Sequence, residues 1–515
     1  MRIFTHFLII VLAGLCTMNA TAQNRRYLDQ VFKEVNVSNP TGLAQNYTIL
    51  NWIATQGAAH TLKQPLVAQF YSPKNDTKTD RPLIIYIHTG NFFPYPANGS
   101  CSGTLRDSSN VEIATRLAKM GYVVAVVNYR QGWNPFDMNE LIRRFFLINA
   151  AYRGVQDIST YVRYFKRSAA DLGNPHGIDP NKITVWGQGT GGYLSLAAAY
   201  LNTYGEILQV PGGKFLLPIS ATTKIPMVLE PYNGNIDATG PITTVDSTYS
   251  GLTKLKVGDT LCIPNHPLFN SDFALCVNMG GALGDSTWLN DGEAPLISFH
   301  VKTDPFAPYK TDILNVPTAL GPQPVVEVTG SSDLARKSDG YGNNDVFKAI
   351  PSGYDPYAIG NKSGRLGYYE FLGTPDDQSG PWEWAAKDNP PSTCNQNSAT
   401  AKIYIDTIIG YFAPRACVAL GLNCDFKSST KDLVDANVNL KMVPNPATVD
   451  MNITVSDETP IRSITLFDIS GRAIRTTNNV NASFYNLRRE SLQDGLYLIK
   501  LNFDKGTLTK KIIFE

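Results

Sequence analysis

The apolar positions of the chain follow two alternating patterns from about residue 80 onwards. Continuous β-branched runs at 82–88 (PLIIYIH) and 122–129 (YVVAVVNY) predict strands that are buried on both faces. Between them, 111–120 (VEIATRLAKM) has helical spacing and stops at Gly121. This alternation predicts βαβ crossovers, and therefore a mainly parallel sheet with helices on both faces.

The alternation continues along the chain but is interrupted once. Residues of about 210–270 are rich in Gly, Pro, Thr and Asn, which predicts an insert or lid over the carboxyl edge of the sheet. On either side of this insert the predicted helices are 152–173 and 401–420, and the predicted strands are 182–186, 273–283, 294–301 and 365–373.

The character of the sequence changes near residue 440. Short alternating strands separated by turn residues continue to the C-terminus, without a helical pattern. We therefore expect a large α/β domain over 23–435 and a small all-β domain over 441–515.

The first residues, MRIFTHFLIIVLAGLCTMNATAQ, have a positive start, a short apolar run and the small residues Ala20-Thr21-Ala22. This order is typical of a secretory signal peptide, which we assign to 1–22. A lipoprotein anchor at Cys16 is the alternative, although the bulky Leu15 precedes that cysteine.

Removal of Cys16 leaves six cysteines in a chain bound for an oxidising compartment, where disulfides are expected. The sequence does not determine which cysteines pair, but Cys262 with Cys276 and Cys417 with Cys424 would close short loops.

The overall composition excludes several function classes. The chain has 515 residues, a net charge of +1 and 43% hydrophobic residues, so it can bury a large core and has no strongly basic face for nucleic acid. No zinc-spaced cysteine and histidine cluster, flavin motif or nucleotide motif stands out, and we expect no metal or cofactor.

The C-terminal region resembles a known export signal. The segments PNPA at 444–447, ITLFDISGRAI at 464–474 and DGLYLIKL at 494–501 resemble the type IX secretion system C-terminal sorting domain of Bacteroidetes. The resemblance implies Sec export, passage across the outer membrane by the type IX machinery, and a location that is secreted or at the cell surface.

The larger domain resembles the α/β-hydrolase fold of the carboxylesterase, lipase and feruloyl-esterase-like group. The segments that carry the resemblance, in family order, are YIHTG (86–90), GYVVAVVNYRQG (121–132), AYRGVQDISTYVRYFK (151–166), GIDPNKITVWGQGTGG (177–192), MGGALGDSTWL (279–289) and PLISFHVKTDPFAPY (295–309). A fold does not by itself imply a function, so each catalytic position has to be checked.

The nucleophile position implied by this resemblance is occupied by glycine. The nucleophile elbow Gly-X-Ser-X-Gly is replaced by Gly187-Gln188-Gly189-Thr190-Gly191. Gly189 has no side-chain oxygen or sulfur that could attack an ester. His88-Thr89-Gly90 resembles the oxyanion loop, and the match places Thr89, Gly90 and the backbone N–H of Thr190 around the oxyanion hole. Ser195 is expected to pack or to bond back to its own helix.

The acid position of the family is matched by Asp304, but the histidine position is unfilled. The family order is nucleophile, acid, histidine, and none of the six histidines follows residue 300. The loop where the histidine is expected offers Asp376 and Asp377 instead. For Asp304 we also weigh a turn-capping role or an ion pair with Lys302 or Lys310, and for His300 a role in fixing its strand end.

Aromatic residues are concentrated around the same loop. Trp382, Trp384, Tyr368, Tyr369 and Phe371 could stack on a sugar or an aromatic ester, but packing is the favoured interpretation.

These observations leave three hypotheses. The first is a secreted α/β-hydrolase homologue that has lost catalysis and keeps its cleft for a small-molecule, ester or glycan ligand. The second is an active esterase or lipase with a displaced site, using for example Thr190 with His266 or His88 as the base. The third is a structural surface protein whose old pocket is filled by residues 210–270.

Overall fold

The computed structural model describes most of the chain in two compact units, Met1–Cys424 and Asp425–Glu515. The described residues are 32–38, 45–50, 60–93, 98, 100–133, 137–253, 255–318, 321–351, 354–355, 363–372, 378–385, 398–424, 426, 438–468, 473–504 and 506–515. The predicted signal peptide and Cys16 lie outside these residues.

The first unit is built from alternating strands and helices. Its strands are β1 (Val35–Ser38), β2 (Gln45–Leu50), β3 (His60–Pro65), β4 (Ala68–Pro73), β5 (Arg81–Ile87), β6 (Val123–Val127), β7 (Ile178–Gln188), β8 (Leu216–Pro218), β9 (Lys224–Pro226), β10 (Thr243–Thr244), β11 (Thr260–Cys262), β12 (Leu275–Met279), β13 (Leu296–Val301), β14 (Asp312–Thr318), β15 (Gly321–Val328) and β16 (Tyr368–Phe371). Its α-helices are α1 (Ser108–Lys119), α2 (Glu140–Asp171), α3 (Thr190–Tyr200), α4 (Tyr204–Leu208), α5 (Glu230–Asn233), α6 (Ser247–Thr253), α7 (Ser331–Tyr341) and α8 (Ser398–Ala419).

Eight of these strands form one mixed sheet in the order β1-β4-β6-β5-β7-β12-β13-β16. The pairs from β6 to β16 are parallel, and β4 joins β1 and β6 antiparallel. Every residue of β5 and of β6 is buried, as their continuous apolar sequences predict. The predicted α/β-hydrolase fold is confirmed.

Helix α2 begins twelve residues before the predicted start at 152. The side chain of Asn139 caps it by accepting a hydrogen bond from the N–H of Leu141 at 2.9 Å. The added turns pack against β15, where Arg143 and Arg144 donate to backbone carbonyls of Pro324 and Val325. Because these turns bury residues against several neighbours, their apolar positions do not form the single stripe that sequence analysis detects.

The region around 210–270 folds into short elements instead of one continuous lid. It contains the β8–β9 and β10–β11 pairs, and Val245, Tyr249, Leu255 and Leu261 form a small core of their own.

The cysteine predictions have different outcomes. Cys417 and Cys424 form a disulfide, as predicted, and Cys101 is also disulfide-bonded. The predicted pairing of Cys262 with Cys276 is wrong, because both thiols are free and buried. Cys276 lies in β12 of the central sheet with its thiol donating to the Ser195 carbonyl, whereas Cys262 lies in β11, beside Gly234.

The second unit consists of antiparallel strands. They are β17 (Lys441–Val443), β18 (Asp450–Thr454), β19 (Ser463–Phe467), β20 (Ala473–Thr477), β21 (Phe484–Arg488), β22 (Gly495–Phe503) and β23 (Gly506–Phe514). They form the sheets β17-β18-β21 and β20-β19-β22-β23, which share one apolar core. In the part of the chain that is described, no helix combines the length and the apolar character needed to cross a membrane.

Candidate functional site

The turn between β7 and α3 keeps the backbone of a nucleophile elbow. Gly189 connects the two elements with φ 53° and ψ −117°. A residue with a side chain pays about 1–3 kcal/mol for a backbone of this kind, and glycine avoids most of that cost. The turn also packs tightly, since a Cβ on Gly191 would lie within 3.0 Å of the His88 carbonyl oxygen. The elbow is therefore built as in a hydrolase, but it presents no attacking atom.

The side chain of Thr89 occupies the space above this glycine. A Cβ on Gly189 would lie 2.9 Å from Cβ of Thr89 and closer still to its Oγ1. The N–H of Thr190 donates to the same Oγ1 at 3.4 Å. The Thr89 hydroxyl thus occupies the position of a nucleophile side chain. It also accepts a hydrogen bond from the backbone N–H of Thr190, which the resemblance assigns to the oxyanion hole.

The other hydroxyls near the elbow have structural partners. Oγ1 of Thr190 accepts a hydrogen bond from the N–H of Asn91 at 2.8 Å, and this bond fixes the loop that follows Gly90. Ser195 Oγ donates to the carbonyls of Gly192 and Val277, both at 3.0 Å, which confirms its predicted back-bonded role.

Asp304 follows β13 and caps the turn that it begins. Its Oδ1 accepts from the N–H groups of Phe306 and Ala307 at 2.7 and 3.0 Å, so the turn-capping interpretation describes its contacts. Its Oδ2 is buried without a hydrogen-bond partner and lies against Gly280. Burial raises the pKa of Asp304 to about 7, whereas the two backbone hydrogen bonds lower it.

Four histidines, His88, His176, His266 and His300, are held in other contacts. Nδ1 of His88 bonds to the Thr89 carbonyl, and Nδ1 of His300 lies 2.9 Å from Ser331 Oγ. The ring of His176 stacks on Phe70. His266 lies beside Arg167, with Nδ1 3.1 Å from the guanidinium. Burial lowers the pKa of all four imidazoles.

The loop after β16 brings Trp382 and Glu383 to the place where the family would have its histidine. Trp382 is 1% exposed, lies against the same Gly280 as Asp304, and has a buried indole N–H without a partner. Asp376 and Asp377 lie outside the described residues. Trp384 instead lies beside Lys402, with 5.9 Å between Nζ and the ring centroid. Tyr369 and Phe371 of β16 pack against other aromatic rings, in agreement with the packing interpretation; these rings belong to Phe299, Trp382, Tyr404 and Tyr411.

Glu383 is the centre of a buried polar network. Its Oε2 accepts from Ser102 Oγ at 3.1 Å, and its Oε1 accepts from the amide nitrogen of Gln188. Gln188 in turn accepts from the hydroxyl of Tyr86, while Ser102 Oγ lies 3.3 Å from Ser100 Oγ. Burial, together with the nearby carboxyl of Asp107, raises the pKa of Glu383 to about 7.

A cavity of about 590 Å³ opens directly above the elbow. Gly189, Thr89, Thr190, Ser100 and Glu383 form its polar end. Its walls come mainly from α2, α3 and the β14–β15 hairpin, and they include Phe92, Phe93, Trp133, Leu147, Ile148, Ala151, Tyr152, Val155, Tyr193, Ala197, Phe215, Val228, Trp288, Phe306, Leu314, Val316, Val326, Val328 and Trp382. Beyond the Thr89 side chain that covers Gly189, the cavity is thus open, and it is lined mostly by apolar and aromatic side chains.

Comparison with known families agrees with this architecture. The BD-FAE family model, which describes an α/β-hydrolase esterase family, matches residues 68–313. The model of the secretion system C-terminal sorting domain matches residues 441–515.

The chain carries a BD-FAE domain and a C-terminal sorting domain.

Solved structures similar to the chain include several esterases. A thermophilic esterase from the Planctomycetes species Thermogutta terrifontis with propionate bound is 14% identical, with a TM-score of 0.33 over 71% of this chain and 94% of that one. A truncated carbohydrate esterase from gut microbiota is 15% identical, with a TM-score of 0.28 over 58% of this chain and 85% of that one. No curated protein matches the chain.

The sorting domain determines where the protein goes. It directs type IX secretion to the cell surface or the extracellular space and implies an interaction with the secretion machinery.

In the BD-FAE domain the structure brings together only some of the predicted site residues. Thr89 and Thr190 meet Gly189 at the elbow, whereas Gly90 lies against Gly103, and Asp304 lies against Gly280. His266 is not among the residues that line the cavity. Sequence analysis missed Glu383, although this residue lies between two tryptophans that it considered, because nothing in a lone loop glutamate indicates burial.

Proposed function

We propose that the BD-FAE domain is a secreted binding domain for an apolar small molecule and does not hydrolyse esters through a serine triad. One observation carries this proposal: an open apolar cavity ends at a nucleophile position that is glycine and that Thr89 covers. Large apolar pockets with a few polar groups at one end are typical ligand sites. An open cavity also argues against the hypothesis of a structural protein with a filled pocket.

The absence of a base supports the same proposal. Acyl transfer at neutral pH needs a group that takes the proton from the nucleophile, usually histidine. Among the described residues that line the cavity there is no histidine. Binding without turnover is the function that this set of side chains supports best.

A hydrolase with a displaced site is the second candidate, and one contact favours it. Ser100 lines the cavity, and its Oγ reaches the Glu383 carboxylate through Ser102 Oγ. A half-buried carboxyl with a pKa of about 7 could accept a proton through this chain of hydroxyls. The link from Ser100 to Ser102 is long for a hydroxyl pair, at 3.3 Å.

The two candidates are separated by ester hydrolysis. Purified protein is assayed with p-nitrophenyl esters of short and long acyl chains, beside the Gly189→Ser, Ser100→Ala and Glu383→Gln variants. We expect no turnover above background for the parent or for any variant, because Gly189→Ser still lacks a base and places its side chain against Thr89. Turnover by the parent that Ser100→Ala or Glu383→Gln abolishes would establish the displaced hydrolase site instead.

A further inference from the structure

Glu383 is a half-buried acid with no oppositely charged partner among the described residues. Its two hydrogen-bond donors, Ser102 and Gln188, are neutral and are themselves 2% and 0% exposed. The other charged groups that act on it are the carboxyls of Asp107 and Asp304, which have its own sign. A buried carboxylate without a counterion is unfavourable, and in proteins such a group is normally paired.

The cavity does not supply the missing cation. Among its described lining residues there is no lysine, arginine or histidine, and Glu383 is the only one with an ionisable carboxyl. An anionic head group such as a fatty acid carboxylate would therefore meet an acid and no base. A head group that brings a positive charge would complete the pair.

The walls fit the rest of such a molecule. Trp382 lines the polar end of the cavity beside Glu383, and Phe92, Trp133 and Tyr152 contribute further aromatic surface. Aromatic faces attract organic cations, and they also pack well against an apolar body.

We propose that this cavity binds an apolar amine, with its ammonium group at Glu383 and its hydrocarbon or aryl body along the aromatic and aliphatic walls. This inference rests on the proposed binding function and specifies its ligand class. It assigns Glu383 as the residue that determines specificity for the head group.

The test uses three ligands with one body and three head groups. Binding of phenylbutylamine, phenylbutanol and phenylbutanoate to the purified full-length protein is measured by isothermal titration calorimetry at pH 8. We expect the amine to bind at least about tenfold more tightly than the carboxylate, because hydrogen bonds to charged groups are worth at least that factor. Glu383→Gln should remove this preference, and the affinity of the variant for the alcohol should stay within about twofold of the parent's. Glu327→Gln, an exposed acid on β15, is the matched control and should change nothing.

A pH series keeps the test valid if Glu383→Gln does not fold. The group is surrounded by Tyr86, Asp107 and Asp304, as well as its two hydrogen-bond donors. Below pH 7 the carboxyl of Glu383 takes up a proton and can no longer pair, so amine affinity should fall from pH 8 to pH 6, whereas alcohol affinity should not. The Asp304→Asn variant should show the same decrease in amine affinity from pH 8 to pH 6.

The outcomes distinguish the inference of an amine ligand from the proposed binding function. If the carboxylate or the alcohol binds as tightly as the amine, or if Glu383→Gln keeps the preference, the amine inference is wrong while the binding function stands. If none of the three ligands binds, both are wrong.

Discussion

At the scale of single residues, the contact between Gly189 and Thr89 defines the site. A sequence motif reports which residue is present at each position, and it reported the missing serine. It could not report that Thr89, just past the end of the neighbouring strand β5, fills the space above Gly189, because that contact joins residues 100 positions apart. The glycine at position 189 and its covering by Thr89 are therefore separate facts, and only the first is visible in the sequence.

Alanine at position 189 should destabilise the protein strongly. Gly189→Ala adds both a strained backbone, which costs about 1–3 kcal/mol, and a contact with Thr89 that is too close. Gly212→Ala is the control, because Gly212 also has a positive φ but has no atom within 4 Å of an added Cβ. In urea denaturation we expect Gly189→Ala to lower the free energy of unfolding by more than Gly212→Ala does. The double variant with Thr89→Gly should recover part of the difference, and equal losses for the two single variants would contradict the close contact.

At the scale of elements, the parallel strands were predictable and the roof of the cavity was not. Residues 82–88 and 122–129 are buried on both faces, so their composition alone identifies them as strands. The hairpin β14–β15 instead has one face on the cavity and one in solvent, with Val326 2% and Ile313 50% exposed. Its sequence, DILNVPT and GPQPVVEV, includes prolines that are unusual inside strands, so no strand pattern was recognised.

The two arginines of α2 should hold this hairpin in place. Arg143 donates to the Pro324 carbonyl at 3.1 Å and Arg144 to the Val325 carbonyl at 2.6 Å. Each such charged hydrogen bond is worth about 1.5–3 kcal/mol. We expect the Arg143→Ala/Arg144→Ala variant to show faster amide hydrogen exchange in 312–318 and 321–328 by mass spectrometry. Arg167→Ala, on the far end of the same helix, should leave these peptides unchanged; slower or unaltered exchange in the double variant would show that apolar packing alone fixes the hairpin.

At the scale of the whole molecule, the chain combines an export signal with a BD-FAE domain that contains a large apolar cavity. The two have separate cores: the one in the C-terminal unit includes Ile453, Leu466, Leu501 and Ile512. Sequence patterns predict two domains, since hydrophobic periodicity and turn spacing differ clearly on the two sides of residue 440. They could not predict the cavity, because its shape depends on how distant segments meet.

Deletion of residues 441–515 should change the location of the protein and leave its ligand site intact. The sorting domain directs type IX secretion, so the truncated chain should accumulate inside the cell envelope while the full chain reaches the surface or the medium. Fractionation followed by immunoblotting measures this, with the full chain carrying the exposed-site change Glu327→Gln as the control for export. Normal export of the truncated chain would mean that the tail is dispensable.

The covered elbow also has a consequence for protein engineering. A working triad would need serine at 189, a smaller residue at 89 and an imidazole near Asp304, and each of these changes alone gives no catalytic gain. In the language of fitness landscapes, the proposed binding function places a valley between the present sequence and a serine-triad hydrolase, and single steps do not cross it. A library of single substitutions screened on esters should therefore yield nothing, and recovery of turnover requires combinatorial mutagenesis that changes the three positions together.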